Sequence, residues 1–166
     1  IPSIYDNTIK EKETYHKEGD DVKTEEELKL LEIGRNVHTL FERIDFINNK
    51  LPYIEDNYYK EKLTKFLNSS FIYKYKDYKK YQEYEFIYEN SNKIYHGKID
   101  LLLVGDSEAI IIDYKLKNTK DKAYIDQLNG YKEVISNKLN LPTSCYLYSI
   151  IDEKFEKIWQ NANFVV

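Results

Sequence analysis

Apolar residues recur at helical spacing from Leu28 through Leu31, Ile33, Val37, Leu40, Phe41 and Ile44, which predicts an amphipathic helix. Thr24 and Glu27 stand ahead of it at capping-box spacing. A second helix is expected over 58–75, with Leu63, Phe66, Leu67 and Phe71 as its inner face. The period then changes. Residues 81–88 alternate loosely, as a strand does, and Asn90 to Asn92 read as a turn. Two apolar runs, 99–104 and 109–114, flank the turn signal Gly105-Asp106-Ser107. They predict a hairpin of strands 94–104 and 109–115. A helix follows from about Lys120 to Lys138, with Tyr124, Leu128, Tyr131 and Ile135 in one stripe. After a short loop, 145–151 and 155–159 read as closing strands. This order predicts an α/β domain, a central mixed sheet flanked by helices. Residues 1–24 are polar and rich in charge and read as a lead-in segment. Residues 25–166 then form a single domain.

Composition narrows the picture. A chain of 166 residues is long enough to bury a substantial core. No apolar run reaches membrane-spanning length, and no signal-peptide pattern opens the chain. The single cysteine, Cys145, lies in an apolar run and reads as a core residue. One cysteine makes no internal disulfide, which fits a reducing cytoplasm, and it cannot hold an iron–sulfur cluster. The formal net charge of −4 opposes strong independent binding to duplex DNA. The sign is uneven, however. Acidic residues crowd 11–27, whereas lysines gather at Lys74, Lys76, Lys79 and Lys80 and again at Lys115, Lys117, Lys120 and Lys122.

The candidate chemistry lies in the hairpin. One strand carries Gly97-Lys98-Ile99-Asp100 and the next carries Ile111-Ile112-Asp113-Tyr114-Lys115. Alternation places Asp113 and Lys115 on one face. An aspartate in an apolar strand is costly unless its charge is met. Two such carboxylates brought together suggest a divalent cation. Glycine costs helix stability, so Gly34, one turn before His38, suggests close approach of another backbone or a ligand.

These residues resemble the motifs of the PD-(D/E)XK nuclease superfamily, and most closely the RecB/AddA-type nuclease domain of bacterial helicase-nucleases. Four pieces match in order. Gly34 to His38, with Phe41 to Phe46 trailing, is similar to the family's G-x-x-x-H helix. Glu83-Tyr84-Glu85-Phe86 is similar to its E-x-P-F strand, with Glu85 in place of the proline. The two aspartate segments are similar to its central motifs, and Tyr124, Gln127 and Tyr131 to its Q-x-x-x-Y helix with the preceding aromatic.

The resemblance implies a restriction-endonuclease-like fold and a Mg²⁺-dependent deoxyribonuclease, with Mn²⁺ as a substitute and no iron–sulfur cluster. It implies that His38, Asp100, Asp113 and the Tyr114 carbonyl hold the metal. Lys115 would position or deprotonate the attacking water. Glu83 would sit near the metal, with Glu85 as the alternative two residues along. Gln127 and Tyr131 would contact the DNA strand or the motif lysine, while Tyr124 reads more readily as a core aromatic. Exonuclease action on a single strand delivered by a helicase is expected over endonuclease action. A helicase in the same polypeptide and an AddB- or RecC-like partner subunit are implied, in double-strand break repair and recombination. The chain holds no Walker P-loop and no methionine, which fits the C-terminal nuclease part of a longer polypeptide. The alternatives are a stand-alone endonuclease of the superfamily and a non-catalytic DNA-binding or assembly module of the same fold.

Overall fold

A computed structural model describes residues 24–117 and 121–159. The acidic stretch up to residue 23, Pro2-Ser3, His16 and Lys120 lie outside them. Helices α1 (Glu25–Glu42), α2 (Asn57–Leu67) and α3 (Ser70–Lys74) come first. Strands β1 (Lys79–Asn90), β2 (Lys93–Val104) and β3 (Ala109–Lys115) follow, then α4 (Lys122–Leu139), β4 (Thr143–Ser149) and β5 (Lys154–Ile158). The five strands form one mixed sheet in the order β1-β2-β3-β4-β5. All neighbours are antiparallel except β3 and β4, which run parallel and therefore need α4 as a crossover.

Helix α1 starts at the expected capping box. Thr24 Oγ1 accepts from Glu27 N at 3.2 Å, and Glu27 Oε2 accepts from Thr24 N at 3.3 Å. Its apolar stripe is buried only from Val37 onward, and Leu28 is half exposed. The helix expected over 58–75 is two helices. Asn68 ends α2, and the Ser69 side chain accepts from Ile72 N to start α3. Asn and Ser are good capping residues and weak helix formers, so the break follows local chemistry. The β1–β2 turn uses Ser91 and Asn92, at φ 51° and 63°, as a two-residue hairpin turn of this hand requires.

Two apolar layers enclose the sheet. Val37, Phe41, Phe66, Leu101, Leu103, Ile110, Ile112, Tyr114 and Tyr148 pack together on the side of α1 and α2. Ile99, Leu102, Ile111, Leu147 and the α4 stripe Tyr124, Leu128, Tyr131 and Ile135 fill the other. Full burial of each such side chain is worth about 1.5–3 kcal/mol. Gly97 lies under the Phe86 ring, and a Cβ there would fall inside it. Phe86 in turn meets Tyr131 edge to face at 5.2 Å between centroids. The glycine thus lets β1, β2 and α4 close on one another. Gly34 is less demanding: the nearest atom to a Cβ there is the Leu116 side chain at 4.0 Å, an ordinary contact, and no backbone approaches closely. Among the described residues, no helix is long and apolar enough to cross a membrane.

Candidate active site

The regular pattern of the sheet breaks along one line across three strands. β1 pairs with β2 at Gln82↔Leu101 and at Tyr84↔Ile99, so Glu83 falls opposite Asp100 with no pair between them. Glu83 has φ 51°, a left-handed conformation that is costly in a strand for any residue but glycine. β2 and β3 pair only as far as Leu101↔Ile112, so the next register positions, Asp100 and Asp113, are not paired with each other, although Asp113 stays paired with Leu147 of β4. Alternation slips at the same level. Ile99 packs on the α4 side, whereas Leu101 packs on the α1 side. Three acidic residues thus occupy the place where the ladder opens.

Side chains replace the missing ladder bonds. Asp100 Oδ2 accepts from the Tyr114 main-chain N–H at 2.8 Å, where a strand carbonyl would otherwise serve. Asp100 Oδ1 lies 3.0 Å from His38 Nε2. His38 stands on α1, three residues before the fully buried Phe41, and its ring meets Tyr114 edge-on at 5.8 Å. Its Nδ1 lies 3.1 Å from Glu42 Oε1, one turn along the helix. The imidazole is therefore clamped between two carboxylates. Burial alone would lower its pKa, but the Asp100 charge and hydrogen bond, joined by Glu42, carry it up to about 11. Burial pushes the Asp100 carboxyl upward, and the charged His38, the Tyr114 N–H and Lys115 bring it below its usual range.

Asp113 points toward α4, where the Tyr124 hydroxyl donates to its Oδ2. Burial, and then the neighbouring Asp100 charge, raise its pKa from 3.8 to about 6, against the opposing pull of Lys115. Lys115 shares that face, with Nζ 4.3 Å from the centre of the Tyr124 ring. Its carbonyl accepts from Ile150 N at 2.8 Å, which fixes the main chain beneath the ammonium. The Tyr114 main chain sits between the two, and its buried ring lies 4.7 Å from Phe41.

Glu83 turns toward this cluster. Its Oε1 is 2.8 Å from Lys98 Nζ, an ion pair. Burial raises its pKa to about 7, opposed by Lys98 and reinforced by Asp100 and Glu42. Glu85 is exposed and faces His96, 3.8 Å away. The left-handed turn at Glu83 explains why two residues on one strand diverge. Tyr131 is 3 % exposed, and its hydroxyl hydrogen-bonds the Lys98 main chain. It supports the strand that carries Asp100 rather than facing the carboxylates. Gln127 is half-buried on α4 between Tyr124 and Tyr131.

Sequence reasoning placed three members of this arrangement within the matching segments but gave them no part in the site. Glu42 follows His38 at i+4, a spacing that predicts contact on a helix. Lys98 precedes Asp100 by two residues within the glycine-led segment. Tyr124, read as a core aromatic, is buried as expected yet bonds Asp113 directly. The first lysine cluster is remote. Lys79 pairs with Val104, which pairs with Ala109, at the end of β3 opposite Asp113. Lys80 Nζ donates to the carbonyls of Tyr75, Lys76 and Tyr78, at 3.2, 3.0 and 3.0 Å. It therefore ties down the turn between α3 and β1.

The donors suit a hard or borderline cation: carboxylate oxygens and one imidazole. No group of three or more His, Cys, Asp or Glu side chains is assembled as a metal site among the described residues. His38 and Asp100 are turned on each other instead. Comparison of the chain with protein-family models and with curated proteins returned no match.

Proposed function

We propose that this chain is a Mg²⁺-dependent deoxyribonuclease domain of PD-(D/E)XK type. The observation that carries the reading is the line Glu83, Asp100 and Asp113 across β1, β2 and β3, with His38 closing on Asp100 and Lys115 beside Asp113. The gap in the ladder leaves three carboxylates where a sheet would normally place neutral positions. Such a concentration of charge is costly to the fold and reads as functional.

His38, Asp100, Asp113 and the Tyr114 carbonyl would hold the cation. When bound, Mg²⁺ supplies charge stabilisation for a phosphodiester and lowers the pKa of water. His38 would serve as a ligand only as the neutral imidazole, so it would give up its Nε2 proton and its ion pair with Asp100 on binding the cation. Lys115 holds or deprotonates the attacking water and offsets the charge that develops on phosphorus oxygens. Glu83, held by Lys98, orients water at the edge of the site. Glu42 keeps the imidazole in one orientation through Nδ1.

The broader reading is exonuclease action on a single strand, within an AddA/RecB-like helicase-nuclease that acts in double-strand break repair. The net charge of −4 supports a domain that is fed DNA rather than one that captures it. The test is cleavage of linear single-stranded DNA with Mg²⁺ or Mn²⁺ by the wild type and Asp113→Ala. Equal activity in both would remove the assignment. A second reading, a non-catalytic DNA-binding module, draws support from the lack of a pre-assembled three-ligand group among the described residues. Calorimetry showing DNA binding without Mn²⁺ binding would favour it.

A further inference from the structure

We infer that Tyr124 is a positioning residue that holds the metal-binding carboxylate and the catalytic ammonium with two different parts of one side chain. The inference rests on the nuclease reading and adds a role that the sequence motifs do not assign. Tyr124 sits in the first turn of α4, where the Asp121 side chain accepts from its main-chain N–H at 3.1 Å. Only 4 % of the residue is exposed, so its ring has little freedom. The hydroxyl donates to Asp113 Oδ2, and the ring face lies 4.3 Å from Lys115 Nζ.

These contacts do different work. The hydrogen bond engages one carboxylate oxygen and fixes the plane of the group, leaving Oδ1 for a cation. Hydrogen-bond partners of this kind orient metal ligands, and their loss typically costs about 10–100-fold in affinity or activity. The ring face attracts the ammonium through its quadrupole and limits the swing of a side chain with four rotatable bonds. Asp113 and Lys115 are two residues apart on one strand face, so a single ring can reach both. The crossover helix thereby sets the distance between the metal ligand and the Lys115 ammonium.

Two substitutions separate the parts. Tyr124→Phe keeps the ring and removes the hydroxyl. Tyr124→Met keeps most of the volume and removes both hydroxyl and ring face. Mn²⁺ affinity is measured by calorimetry, and kcat and KM for single-stranded DNA cleavage at saturating Mn²⁺. Tyr124→Phe is expected to weaken Mn²⁺ binding about tenfold while keeping kcat at saturating metal within about threefold of wild type. Tyr124→Met is expected to match that loss of affinity and to lower kcat by a further factor of about ten, with KM for DNA unchanged. Should Tyr124→Met fail to fold, 3,5-difluorophenylalanine at 124 keeps the shape, weakens the ring face and should lower kcat below that of Tyr124→Phe. A purely structural role would lower affinity and kcat together in proportion to lost stability, and that result overturns the inference. It is also overturned if Asp113→Ala abolishes Mn²⁺ binding while both Tyr124 variants match wild type. If Asp113→Ala itself keeps Mn²⁺ affinity and cleavage, the nuclease reading falls, which is a separate result.

Discussion

Replacing Asp113 by Asn should make the metal-free protein more stable. The Asp113 carboxyl carries a folded-state pKa of about 6 against an ordinary value of 3.8, raised by burial and by the Asp100 charge. The folded state therefore binds this proton more tightly than the unfolded state does. The penalty is absent below pH 3.8, grows as pH rises, and is fully present above about pH 6. A shift of about two units corresponds to about 3 kcal/mol. Asp113 keeps some contact with solvent, so about 1–3 kcal/mol is the expected range after screening. Asn keeps an oxygen to accept from Tyr124 and loses the charge. In EDTA at pH 7.5, Asp113→Asn should melt about 3–9 °C above wild type, using a few degrees per kcal/mol for a domain of this size. At pH 4.5, which is still above 3.8, the gap should shrink to about a third of its pH 7.5 value. Added Mg²⁺ should raise the melting point of wild type alone and narrow the pH 7.5 gap. Differential scanning calorimetry at the two pH values reads all three. An Asp113→Asn protein that is less stable than wild type in EDTA at pH 7.5, or equally stabilised at both pH values, refutes the electrostatic account.

Other perturbations probe the scaffold. Gly97→Ala should destabilise by about 1–3 kcal/mol, because the new Cβ displaces the Phe86 ring from β2 and Tyr131; urea denaturation measures it, and a neutral result would contradict the packing. Lys80→Met should lower stability by about 1–2 kcal/mol through three lost carbonyl bonds. Its rate of single-stranded DNA cleavage should be unchanged, since β1 begins at the far end of the sheet from Asp113; a loss of cleavage in a folded protein would place DNA at that end. Thr24→Ala should cost about 0.5–2 kcal/mol through the capping box, read by thermal melting followed by circular dichroism.

The hairpin and the crossover helix were the parts most legible in the sequence. β2 ends at Val104 and β3 begins at Ala109, as the turn signal after Val104 suggests, because an apolar run bounded by turn residues has few other solutions. The stripe Tyr124, Leu128, Tyr131 and Ile135 is the buried face of α4. Periodicity misjudged α1, whose first turns are apolar on one side yet stand clear of the core, as exposed Leu28 shows. It also merged α2 and α3, since the stripe continues in phase across a break set by two capping residues. In the candidate site, His38 and the two aspartates were singled out by the resemblance of their segments to family motifs, and the fold brings His38 to Asp100. The left-handed Glu83 was not legible, because alternation assumes an unbroken strand and so cannot separate Glu83 from Glu85. The Tyr124 hydroxyl bond was hidden for another reason: helical periodicity marks a tyrosine as buried but does not say where its oxygen goes.

The central claim is that His38, Asp100 and Asp113 share one divalent cation. A crystal structure of the Mn²⁺-soaked protein, with the ion located by its anomalous signal, tests it most directly. The account predicts one peak within about 2.0–2.3 Å of His38 Nε2 and of a carboxylate oxygen from each aspartate, with the 3.0 Å His38–Asp100 contact opened. A Mn²⁺ ion bound elsewhere, or none at all with that contact intact, would contradict it.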